Sequence, residues 1–288
     1  AEGKPTFFLK DIPPKGKMDV DRPEIYYGEN TRDYVIVNSK TQEFDYPAGE
    51  DTPVYVQYQG DGGVPLSSPL RKLAYAWHMG DINVLISNQL TSGSRIQYHR
   101  QIRDRISTVA PFLQLDSDPY LVVADGKLWW IQDAYTITDN YPYATRYTLS
   151  SGSANYIRNS VKIVVDPYHG AMSFYVIDPQ DSMLQIYRNA FPILFKDFDE
   201  MPEALKSHIR YPEDLFLIQS NVYLQYHMRD PRVFFNKEDQ WTIPTETFVG
   251  KQKAVEPYYV IMKIPGEEKE EFVLILPFTP KGKPNMVA

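Results

Sequence analysis

Hydrophobic and polar positions along this chain follow two periods. Residues 24–27, 34–38 and 54–58 read as short strands, and in the last of these Val54, Val56 and Tyr58 fall on one face. A helical period takes over after Ser67, Ser68 and Pro69, where Leu70, Leu73, Ala74 and Trp77 recur at i, i+3, i+4 and i+7. Beyond the break at TSGS, residues 91–94, a second helix is expected with Ile102, Ile106 and Val109 on one face, ending at Pro111. Its other face is basic: Arg95, His99 and Arg103 stand at successive i+4 steps, and Arg100 is placed to pair with Asp104.

Alternation returns in three hairpin signals. LVVADGKLWWI, residues 121–131, sets Asp125-Gly126 between two apolar runs, the pattern of a type I′ turn. VKIVVDPYHGAMSFYVI, residues 161–177, repeats the design with a longer turn from Pro167 to Gly170, and YYVIMKIPGEEKEEFVLIL turns at Pro265-Gly266. In the first hairpin Trp129 and Trp130 are neighbours on a strand and must face opposite ways, so one is exposed as a binding surface unless both faces of the sheet are covered, and the covered sheet is the expectation taken. A helical segment, residues 182–228, lies between the second and third hairpins. Helices and hairpins are therefore segregated, which predicts an α+β class. The expected organisation is an extended, Pro-rich arm over residues 1–23 and one α+β domain over 24–288. That domain would have a β-rich lobe at 24–66 and a helix and hairpin body at 67–288.

Composition narrows the function classes. The chain has 30 Lys plus Arg against 37 Asp plus Glu, a net charge of -7, and no long basic run, which disfavours nucleic acid as a partner. It has no cysteine, which removes disulfides, thiolate metal sites and a Cys nucleophile. The five histidines are scattered without ligand spacing, so no metal and no cofactor is expected. Asp116 and Asp118, like Asp178 and Asp181, could offer oxygens to calcium, but the glycine and distal glutamate of a calcium loop are missing. Serine-hydrolase, Walker and dinucleotide motifs are absent from the sequence. The longest apolar run, FVLIL, is far shorter than a membrane span.

The densest set of ionisable and aromatic residues is HIRYPEDLFLIQSNVYLQYHM. Pro212, Glu213 and Asp214 suit a helix start, with His227 and Arg229 at its negative end. Two readings coexist. His208, Arg210, Tyr211 and Asp214 form a candidate ligand site for an anionic or sugar-like group, or they are cap and packing residues. A helix from 212 to 228 would be about 25 Å long at about 1.5 Å per residue, too long for His208 and His227 to share a metal. Arg95, His99 and Arg103 are a second candidate, for anions or lipid headgroups.

The blocks NYIRNSVKIVVDPYHGAMSFYVIDPQD and HIRYPEDLFLIQSNVYLQYHMRDPRVFFNKEDQWTIPTE, with DPYLVVADGKLWWIQDAYT and IMKIPGE, resemble bacterial multi-pass membrane proteins of uncharacterised protein family 0182. The resemblance covers nearly the whole chain. It implies an extracytoplasmic domain at the cell membrane, preceded by transmembrane helices and continuing past residue 288. Its partners would be the protein's own transmembrane region and other membrane proteins, with a glycan or lipid headgroup as a further ligand class. The resemblance implies no catalytic residue. Two functions follow: a binding, sensing or assembly module, or a cell-envelope enzyme acting on glycan or lipid-linked substrates. The enzyme would draw on Asp116, Asp118, His208, Asp214 and Asp239.

Overall fold

The computed structural model describes residues 9–10, 15–16, 20–47, 52–149 and 152–283. Most of the expected arm at 1–23 lies outside the described residues. The chain divides into two compact units: one holds the described residues up to 115 with 119–136 and 160–208, the other holds 116–118, 137–159 and those from 209 onward.

The first unit is built on a sheet whose strand order is Phe195–Asp197, Met172–Val176, Tyr156–Val165, Lys127–Thr138 and Gln114–Leu115. Tyr120–Ala124 also pairs with Lys127–Thr138, through the expected Asp125-Gly126 turn. Every residue from Trp130 to Thr136 is buried, so the sheet is covered on both sides there, the expected one of the two arrangements open to the adjacent tryptophans. On one side Ile102, Ile106 and Leu184 pack against Trp130, Ala134, Val161, Ile163 and Phe174. Each such side chain withdrawn from water contributes roughly 1.5 to 3 kcal/mol before entropy is subtracted. Asp133 and Lys162, each 2% exposed, form a buried ion pair, and Asp181 accepts from Thr136 (2.5 Å) and Ser160 (2.6 Å). The fold is α+β. It nevertheless contains one parallel pairing: Met172–Val176 runs beside Phe195–Asp197, with the helix Ser182–Ala190 between them in the chain.

Two sequence expectations are corrected. Residues 24–27 are not a strand, because the N–H groups of Tyr26 and Tyr27 both donate to the Pro167 carbonyl instead of entering a ladder. Arg95–Gln97 is a strand, not the first turn of a helix, and pairs with Val35–Val37 and Val64–Pro65. That pairing buries Ile96 and Gln97 completely and overrides the local helical spacing. The helix itself spans Ile102–Val109, with Gln101 accepting from the Asp104 N–H at its start. The helix Pro69–Met79 starts where the caps place it: Ser68 accepts from the Arg71 N–H, and Gly80 closes it at φ 66°.

In the first hairpin Asp125 and Gly126 have φ of 51° and 71°, the two positive values of a type I′ turn. A Cβ at Gly126 would also stand 2.6 Å from an Asp21 carboxylate oxygen. Replacing Gly126 with Val is expected to cost about 1 to 3 kcal/mol in chemical denaturation; an unchanged midpoint contradicts the turn.

Candidate functional site

The helix Glu213–Tyr226 follows Pro212, whose fixed φ and missing N–H suit the position before the first turn. Asp116, 1% exposed, reaches this start from far back in the sequence. One of its oxygens accepts the Asp214 N–H at 3.1 Å and the other accepts the Asp118 N–H at 3.0 Å. Asp214 answers by accepting from the Ser117 N–H (2.8 Å) and hydroxyl (2.7 Å). Asp118 pairs with Arg210, whose guanidinium lies 4.5 Å from the centre of the Tyr259 ring. Tyr259 in turn donates its hydroxyl to the Tyr211 carbonyl at 2.6 Å, and Tyr211 donates to Gln219. All of these residues belong to the second unit.

The structure thus brings Arg210, Tyr211 and Asp214 together with Asp116 and Asp118. His208 is the last residue of the first unit, and its N–H donates to the Leu205 carbonyl. Asp239 lies apart from the acids, with its carbonyl 2.9 Å from Nε2 of His227, which stacks on Trp241. In the first unit, Arg95 sends its guanidinium to the carbonyls of Asp61, Gly62 (2.8 Å) and Gly63 (2.9 Å). His99 sits at φ 49° between strand and helix, and Arg103 lies on the helix Ile102–Val109, so the three do not share one helix face. Arg100, expected to pair with Asp104, donates instead to the carbonyls of Tyr26 and Asp33. Among the described residues no group of His, Asp and Glu has the arrangement of a metal site.

Two participants escaped sequence reasoning. Ser117 and Tyr259 carry no local signal, because their roles depend on contacts 97 and 48 residues away. The second unit also contains a cavity of about 390 Å³ that periodicity did not reveal. Ile218, Val222 and Tyr226, one i+4 row of the helix, line it with Tyr147, Tyr156 and Ile157. Its lining includes no acid and no histidine.

A model of an uncharacterised protein family, UPF0182, matches residues 1–288. This chain belongs to that family. Relatives named UPF0182 protein are 53% identical in Pelotomaculum thermopropionicum, 50% in Methanospirillum hungatei and 47% in Trichodesmium erythraeum, over all of this chain. The chain spans 31 to 33% of their lengths, about a third. No solved structure matches it. No helix among the described residues is long and apolar enough to cross a membrane.

Within the UPF0182 chain the acids around the helix start are electrostatically unequal. Burial raises the carboxyl pKa of Glu213 above the ordinary value, the charges of Asp118, Asp116 and Asp214 add to the rise, and Arg210 opposes it. A raised native pKa means that the folded state holds its proton more tightly than the unfolded chain. Stability from this group is therefore complete below the unfolded pKa and falls as pH rises through the folded pKa. Glu213→Gln should match the parent near pH 4 and exceed its stability at neutral pH, by less than about 1 kcal/mol after solvent screening. Equal stabilities at neutral pH contradict this.

Proposed function

We propose that this region is the extracytoplasmic binding, sensing or assembly module of an integral membrane protein. One observation carries the reading: in the second unit the candidate acids are spent on backbone and on Arg210, while the cavity is lined by rings and aliphatic side chains. The groups that most often serve general acid and base chemistry, histidine and the carboxylates, do not line that cavity. Apolar cavities with few polar groups are the usual form of binding sites. The chain's one-third share of its relatives' length fits a module of a longer protein. The envelope-enzyme alternative would need Asp116, Asp118 or Asp214 to leave the contacts that hold the helix start, or would have to rest on His208 and Asp239, which take no part in them.

The placement is tested in the full-length protein by a single cysteine at Glu268, an exposed turn position in a segment that has no native cysteine. In intact cells a membrane-impermeant maleimide is expected to label Glu268→Cys above the parent background. Labelling that appears only after lysis places the module on the cytoplasmic side and contradicts the proposal.

A further inference from the structure

The helix Pro69–Met79 has apolar residues on two opposite sides. One side packs: Ala76 is buried with Leu66, Val84 and Ile96, and Tyr75 and Met79 lie against them. The other side is the stripe of Leu70, Leu73, Ala74 and Trp77, and it points outward. Leu70 is 79% exposed, Leu73 52% and Trp77 89%. Just beyond the helix, Ile82 and Ile86 are 59% and 67% exposed. At 3.6 residues per turn Arg71 and His78 fall along one margin of the stripe. From Gly62 to Gly80, between Asp61 and Asp81, the sequence contains no Asp or Glu, although the whole chain carries a net charge of -7.

Exposing Leu, Trp and Ile side by side forfeits roughly 1.5 to 3 kcal/mol for each one that could have been buried. Such a surface is retained where something else covers it. An acid-free segment with Arg71 beside a Leu and Trp face has the make-up of a helix that lies in a membrane interface. Trp favours that depth, since its ring is apolar and its N–H reaches the wet headgroup layer. We propose that the helix Pro69–Met79 is an interfacial helix. It lies on an anionic bilayer with Leu70, Leu73 and Trp77 in the acyl boundary and Arg71 toward the headgroups. The inference goes beyond the binding or assembly reading and does not use the second unit. Failure of the cysteine-labelling result would leave it standing on either leaflet.

Co-sedimentation with lipid vesicles tests it on the 288-residue chain. With about one quarter phosphatidylglycerol in phosphatidylcholine, the chain should pellet with the vesicles, and less so on phosphatidylcholine alone or at high salt. Leu70→Ser with Trp77→Ser removes two exposed side chains and should lower partitioning about tenfold or more at unchanged circular dichroism. Trp77→Phe, which keeps an aromatic ring, should retain most of it. Absence of vesicle binding overturns the proposal, as does undiminished binding by the serine variant. Self-association that the serine variant abolishes, without vesicle binding, would assign the face to a second copy and also overturns it.

Discussion

A buried carboxylate, Asp116, is the constraint on which the second unit depends. Its two oxygens hold the N–H groups of Asp118 and Asp214, tying a three-residue segment to the start of a helix 98 residues further along the chain. Closing so long a loop costs entropy, and a solvated side chain could not repay it. Asp116 can, because charge-assisted hydrogen bonds away from water are among the stronger ones and its desolvation is offset by the donors it meets. Once the helix start is held, the row Ile218, Val222 and Tyr226 is set against Tyr147 and Tyr156, and the cavity follows. The apparent cluster of chemistry is thus the support, and the apolar space is what it supports.

The first unit solves a different problem. Its central strand is buried on both faces, so polar residues inside it must find one another. Asp133 pairs with Lys162, and Asp181 gathers two hydroxyls and the Met183 N–H that begins a helix. A buried pair of this kind is weak evidence for stability, although removing either partner alone would strand a buried charge. Not every buried polar group is met, since both side-chain amide atoms of Gln97 lack a hydrogen-bond partner, and on the unit's outside stand the outward stripe of the helix Pro69–Met79 and the isoleucines after it. In each unit the buried acids described above hold structure while apolar surface is left available, which is the common ground of the two proposals.

Local signals were the legible ones. Asp125-Gly126 announced its turn because only two positive φ values join strands so tightly, and Ser68 with Pro69 announced a helix start. The paired tryptophans narrowed the sheet, through alternation alone, to one exposed ring or two covered faces. Non-local pairing was not legible: Arg95–Gln97 reads as helix until Val35–Val37 and Val64–Pro65 claim it as a strand. The same limit hid which side of the helix Pro69–Met79 packs, since Tyr75, Ala76 and Met79 make a second apolar row beside the evident one. At the candidate site the sequence grouped His208, Arg210, Tyr211 and Asp214 by adjacency, and His208 belongs instead to the first unit. The meeting with Asp116, Ser117 and Asp118 depends on tertiary closure that no spacing encodes.

The central claim is that these acids hold structure. A double-mutant cycle between Asp118 and Arg210, using Asp118→Asn and Arg210→Met and read by chemical denaturation of the second unit's transition, addresses it most directly. The account predicts a coupling energy of about 1 kcal/mol or more, since the pair is partly shielded and Arg210 also packs on Tyr259. Additivity within about 0.3 kcal/mol would contradict it, and would return the acids to the pool of groups free to do chemistry.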